Sequence, residues 1–254
     1  MNIKWDAETY TENFSFVHQY GAGVLELIDK GHAKAVLDLG CGNGALSGKL
    51  ADLGFEVTGL DASKEQLDLA KKQYPDIHFI QADATAFQLE SPVDVVFSNA
   101  VFHWIDREKQ PDLLRCVHRV LKENGQFVFE FGGSGNNTLI HEALAKAFSE
   151  HGYAYQMPFY FPTIGEYATL LEAAGFQVRY ATLFDRPTQL SGEEGLKDWI
   201  HMFVKTPFAV VKHESEREEI IGHAVDSLRG RLYRDKKWYA DYVRLRMKAV
   251  KEPV

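Results

Sequence analysis

Cysteine is scarce: the 254-residue chain has two, Cys41 and Cys116. Two isolated thiols do not make a disulfide scaffold, so a reducing compartment is expected. A surplus of positive charge is also missing. Lys and Arg number 28 against 36 Asp and Glu, a net charge of −8. A nucleic acid or an anionic membrane requires a basic footprint that this balance does not supply. The one local exception is 229–251, with nine basic residues and two acids. It reads as a solvated strand face and its flank. No apolar run approaches the roughly 18 residues of a membrane span. The opening MNIKWDAETY has no basic-then-apolar leader, and no repeat or low-complexity tract stands out. The expectation is a cytoplasmic protein with a small-molecule substrate and no nucleic-acid, membrane or metal partner.

Hydrophobic residues make up 45% of the chain, enough for one large core. Strand and helix signals alternate. Strands are expected at Ala35–Leu39, 56–60, His78–Gln81, Val93–Asn99 and 126–131. Helical spacing follows the first in Leu46, Leu50 and Leu53. Ser63 with Gln66 makes a capping box for the next helix. An amphipathic helix through Leu113, Leu114, Val117, Val120 and Leu121 is expected to run towards Gly125. That order predicts a doubly wound α/β fold, a parallel sheet with helices on both faces. The rhythm then breaks at 132–135. A helix near Thr138–Glu150, an aromatic stretch HGYAYQMPFYFP, a sixth strand at 177–184 and helices over 191–230 come next. The chain then returns to strand alternation in WYADYVRLRMKAV.

The stretch VLDLGCGNGA joins the first strand to its helix, with glycines at 40, 42 and 44. They let the backbone turn sharply and let a ligand lie against bare main chain. Gly40, Gly42 and Ala45 alone also fit a dinucleotide fingerprint. Asp38 argues otherwise, because a carboxylate repels a phosphate and attracts a cation. S-Adenosylmethionine carries an ammonium and a sulfonium and no phosphate. Asp61, at the end of the second strand, fits a ribose acceptor, and Asp83, past the third, can accept from an adenine amino group. Each acid alone could cap a turn or helix; in this order they point to a ligand.

With these residues in place, the chain resembles the class I S-adenosylmethionine-dependent methyltransferases over 35–131. VLDLGCGNGALS, VTGLDAS, FIQADATAF and DVVFSNAVFHWI resemble four successive motifs of that family, and LKENGQFVFEF its fifth-strand motif, with Glu123 and Asn124 where Pro-Gly is common. WDAETYTENF and SNAVFHWI resemble the trans-aconitate methyltransferase branch. The resemblance implies a seven-stranded Rossmann-like sheet, its last strand antiparallel, in a single domain 1–254. It divides into an N-terminal helical cap (1–32), a cofactor core (33–131), lid insertions (132–162 and 191–232) and a terminal strand (237–251). It implies that Asp38 and the loop Gly40, Cys41, Gly42 and Gly44 hold the methionine end of S-adenosylmethionine. Asp61 and Ala62 would bind the ribose, and Asp83 and Ala84 the adenine. Asn99 and Ala100 would line the methionyl side, and Tyr10 and Phe14 would close over the site.

Methyl transfer from a sulfonium mainly requires proximity and alignment. His103 is the best single candidate for a general base, although it and Trp104 could equally be pocket wall. Tyr153, Tyr155, Phe159 and Trp199 are candidate acceptor-pocket residues, with packing of the insertion as the competing role. The expected activity is methylation of a small molecule, with O-methylation of an organic carboxylate favoured. The alternative is a cofactor-binding regulatory or partner protein without transferase activity.

Overall fold

The computed structural model describes residue 21 and residues 23–253. Tyr10 and Phe14 lie outside the described residues, as does most of the expected cap. Strands β1 (Ala35–Leu39), β2 (Glu56–Asp61), β3 (His78–Gln81), β4 (Val93–Asn99) and β5 (Leu121–Gly132) form a parallel run. Helices α1 (Ala45–Asp52), α2 (Lys64–Gln73) and α3 (Gln110–Val120) connect them. After α4 (Thr138–Glu150) and α5 (Ile164–Ala173) comes β6 (Phe176–Gln189). Then follow α6 (Gly195–Phe203), α7 (Glu214–Leu232), the short β7 (Tyr233–Arg234) and β8 (Lys237–Lys251). The sheet order is β3-β2-β1-β4-β5-β8-β6. Strand β8 is antiparallel to both its neighbours. This is the doubly wound, mostly parallel sheet with an antiparallel last strand.

Buried apolar side chains cover both sheet faces. Val36, Leu46, Leu50, Val95 and Val128 pack on one side. Leu37, Phe102, Leu114, Phe127, Phe129 and Tyr167 pack on the other. A third apolar cluster lies beyond the parallel run. There Leu144, Phe148, Trp199, Ile220 and Leu228 from α4, α6 and α7 meet Trp238, Ala240 and Tyr242 of β8. The Ser63 hydroxyl accepts from the Gln66 N–H at the start of α2, as the capping pattern predicts.

Three expectations need correction. Helix α3 ends at Val120, not near Gly125, and β5 starts at Leu121. Its register against β4 shifts between Val93 and Val95. Asn124 absorbs the kink at φ 62, a left-handed conformation that Asn tolerates better than most side chains. Strand β6 extends past 184 to Gln189, because the 15-residue β8 pairs with it as far as Gln189 opposite Tyr239. The basic stretch 229–251 is solvated in its flank, where Arg229, Arg231, Arg234, Lys236 and Lys237 are exposed, but not along β8 beyond Lys237. The Arg229 guanidinium lies over Tyr233, Arg246 pairs with buried Glu130, Lys251 donates to the Leu121 carbonyl, and Arg244 is 7% exposed. Strand β8 is internal to the sheet, so both its edges are paired, and from Trp238 to Lys251 its side chains are buried or half-buried.

Candidate active site

The carboxyl ends of β1 and β2 bring two acids to the glycine turn. The N–H groups of Gly40 and Cys41 both donate to the Leu60 carbonyl, drawing the turn against β2. Gly40 has φ 77, and a Cβ there would sit 2.2 Å from Val101 Cγ2, so packing alone demands glycine. Gly42 differs. It has φ 53, yet among the described residues a Cβ would meet only Gln66 Oε1, at 3.8 Å. That oxygen is buried with no hydrogen-bond partner among the described residues. Gly42 donates its N–H to Asp61 Oδ2 at 2.9 Å, and Ser63 N–H donates to Asp61 Oδ1 at 2.8 Å.

Asp38 is 1% exposed and accepts from the Ser47 hydroxyl at 2.6 Å. Burial pushes its carboxyl up to about 7; the Ser47 bond opposes this and the charge of Asp61 adds to it. Burial also raises Asp61, against the backbone N–H groups it accepts. Among the described residues neither acid forms an ion pair. Two desolvated carboxylates, an unpaired buried oxygen and open space at Gly42 are what a cation-bearing cofactor would complete. Cys41 is buried within the same turn, and its thiol is raised by burial and by Asp38 and Asp61, so it is not a nucleophile there.

Asp83 is exposed just beyond β3. Its Oδ1 accepts from both the N–H and the hydroxyl of Thr85, at 2.8 and 2.6 Å, and these bonds lower its pKa. Ala62 is exposed beside Asp61, and Ala84 is half-buried beside Asp83. At the end of β4, Asn99 stands in register with Glu130, and Ala100 takes φ 62 while donating to the Glu130 carbonyl at 2.7 Å. The turn places Ala100 on a small cavity of about 40 Å³. Trp104, Phe159, Phe161 and Trp199 wall it, together with the polar residues His103, Asn136, Asn137 and Arg244.

His103 is 8% exposed, and its Nδ1 accepts the Gly132 N–H at 3.3 Å. Burial and the nearby Arg244 charge hold its pKa well below the usual histidine value. The neutral ring therefore carries its proton on Nε2, which donates and does not accept. Trp104 and Phe159 meet edge to face at 4.8 Å. Trp199 is 2% exposed and donates from Nε1 to the Tyr242 hydroxyl at 2.6 Å, so it serves core and cavity together. His103 and Phe159 also line a wider outer groove of about 520 Å³, which includes Tyr153, Met157 and Val210. Of the other two candidates, Tyr153 lines the outer groove and Tyr155 lines neither space. The Tyr153 hydroxyl donates to Glu216 at 2.9 Å, and the Tyr155 hydroxyl lies 2.7 Å from His141 Nδ1.

The sequence reading did not single out Arg244, which lies in the terminal strand. The usable signal was parity. Arg244 shares a face of β8 with Trp238, Ala240 and Tyr242, all buried.

A family model described as a methyltransferase domain matches residues 36–125. An uncharacterized methyltransferase of Schizosaccharomyces pombe is 32% identical over 262 residues, covering 98% of each chain. A trans-aconitate 2-methyltransferase of Rhizobium etli is 24% identical over 239 residues, covering 89% of this chain and 90% of its own. Among solved structures, the magnesium protoporphyrin IX methyltransferase of Synechocystis with bound SAH superposes with a TM-score of 0.57 at 18% identity. It covers 92% of this chain and 83% of that one. The chain belongs to the class I S-adenosylmethionine-dependent methyltransferases. It is an enzyme of that family and uses S-adenosylmethionine. Among the described residues no helix is long and apolar enough to cross a membrane.

Proposed function

We propose that the enzyme methylates an oxygen of a small organic carboxylate. The observation that carries the cofactor side is the pair of acids, buried Asp38 and half-buried Asp61, both raised by desolvation, beside the backbone of Gly42. In this reading Asp38 and the loop 40–44 hold the cationic methionine end. Asp61 and Ala62 take the ribose, Asp83 and Ala84 the adenine, and Asn99 and Ala100 face the methionyl side. S-Adenosylmethionine supplies a methyl group already activated on sulfur. The chain's work is to align the acceptor, exclude water and stabilise charge.

The acceptor side is supported by the likeness to a trans-aconitate 2-methyltransferase along nine-tenths of the chain, since trans-aconitate is a carboxylate. It is also supported by the Nε2–H of His103. A hydroxyl or amine acceptor usually needs a base, whereas a carboxylate attacks with its own lone pair. A C–O bond forms, the C–S bond breaks with its electrons on sulfur, and no proton moves. His103 as donor suits that chemistry; His103 as base does not. The segments 132–162 and 191–232 serve as the lid over this cavity, and two buried, unpaired cysteines suit a reducing cytoplasm. Full-length likeness to a named methyltransferase does not favour a regulatory protein without activity.

The test is incubation with a metabolite extract and methyl-labelled S-adenosylmethionine, followed by mass spectrometry. A labelled product that mild base hydrolyses, formed only with the protein, is expected. A base-stable product would sink the carboxylate reading.

A further inference from the structure

The cavity beside Ala100 offers hydrogen-bond donors and no carboxylate, among the described residues. Asn136 is 3% exposed, and its Oδ1 accepts the Val243 N–H at 2.9 Å. Its amide therefore has the Nδ2 donor left to offer. His103 spends Nδ1 on Gly132 and keeps the proton on Nε2. The Arg244 guanidinium, on the strand that crosses the cavity floor, lies 4.2 Å from the Tyr242 ring centre. Tyr242 is itself fixed by Trp199. A cation and two neutral donors inside an aromatic box of about 40 Å³ match a single carboxylate. An ammonium placed there would find no carboxylate among the lining residues.

We propose that Arg244, with Asn136 and His103, anchors the carboxylate of the methyl acceptor and so selects anionic acceptors over amines and neutral alcohols. The inference rests on the carboxylate reading above. Held by one oxygen, the group keeps the other free to meet the methyl carbon on the Ala100 side. Because a carboxylate needs no deprotonation, these residues act by positioning.

The experiment measures KM and kcat for a panel of mono-, di- and tricarboxylic acids, with S-adenosylhomocysteine affinity as the check on folding. Arg244→Gln is expected to raise KM for the preferred acid roughly ten- to a hundred-fold, the range of a lost charge-assisted hydrogen bond. Affinity for S-adenosylhomocysteine should stay within about twofold, and Arg244→Lys should recover part of the loss. Asn136→Asp keeps the oxygen that Val243 binds and replaces the donor by a negative charge. It should abolish turnover of acids with cofactor affinity retained. If Arg244→Gln proves unfolded, Asn136→Asp decides: unchanged KM for acids overturns the anchor. If wild type forms methyl esters while folded Arg244→Gln keeps its KM, the anchor falls and the carboxylate reading stands. If wild type methylates none of the acids, the carboxylate reading falls and takes the anchor with it.

Discussion

Burial lifts the Asp38 carboxyl to about 7 in the folded protein, against 3.8 when free. Folding therefore favours the protonated form, and the ionised form is a burden on stability. Below 3.8 both states are protonated and the burden is absent. It grows as pH rises from 3.8 to about 7, then stays constant. Asp38→Asn keeps an acceptor for the Ser47 hydroxyl and removes the ionisation. It should stabilise the ligand-free protein by about 2–4 kcal/mol at about pH 8 and by nothing near about pH 3.5. Thermal melts of both proteins across that range check this. The same change should weaken S-adenosylmethionine binding, because the ligand's positive charge prefers the carboxylate. In the wild type, calorimetry should show affinity rising with pH up to about 7 and then levelling. A flat wild-type profile would remove Asp38 from contact with the cation. At this scale the acids were legible because each sits at a strand end, where the fold puts ligands. His103 was legible as a candidate but not as a donor. Its tautomer depends on the Gly132 N–H, 29 positions away.

Three neighbouring strands are locked by one buried acid. Glu130 on β5 is 2% exposed and accepts from Arg186 on β6 at 2.5 Å and from Arg246 on β8 at 2.7 Å. Arg246 also donates to the Gly23 carbonyl at 3.0 Å, tying the chain ahead of β1 to the same point. Removing the acid leaves two guanidinium groups largely buried without their anion. Glu130→Ala should cost about 3 kcal/mol or more, seen as a lower urea midpoint at unchanged slope. An effect under about 1 kcal/mol would mean that solvent reaches the cluster. Periodicity revealed each of these elements, but not their ends. The run 121–125 carries Asn and Gly, which read as a turn, yet pairing to β4 draws Leu121 into the sheet. Likewise 185–189 contains Asp, Arg and Pro, and β8 still holds it as strand. In both places a long-range partner overrode local propensity.

At the scale of the molecule, helices α4, α6 and α7 form an apolar cluster that touches the sheet mainly through the first half of β8. Polar strain gathers where α4 begins. Asn137 has φ 53, and its Oδ1, His141 Nε2 and Asp241 Oδ1 are buried without hydrogen-bond partners among the described residues. Such a junction has little to lose by opening. Amide exchange over 132–161 and 191–230 should slow when S-adenosylhomocysteine binds, while β1, β4 and β5 stay protected throughout. Equal protection with and without the ligand would count against a gate. The candidate cofactor residues were open to sequence reading because their motifs are local and sit at strand ends. The acceptor half was not, because its wall is assembled from β4, the 132–137 turn, the aromatic stretch, α6 and β8, which meet only in the folded chain.

The position of β8 has a consequence for how the protein comes into being. A ribosome delivers the strands in chain order, yet β8, the last of the described strands, occupies an interior slot between β5 and β6. Until residue 251 has left the exit tunnel, those two strands have bare edges facing one another across a gap. The parallel half can order early around its own apolar faces. The ion pairs of buried Glu130, the cavity beside Ala100 and the surface on which α4, α6 and α7 pack wait for β8. The nascent chain thus passes through a stage with an incomplete cavity and two adhesive strand edges, the stage at which a chaperone would matter most.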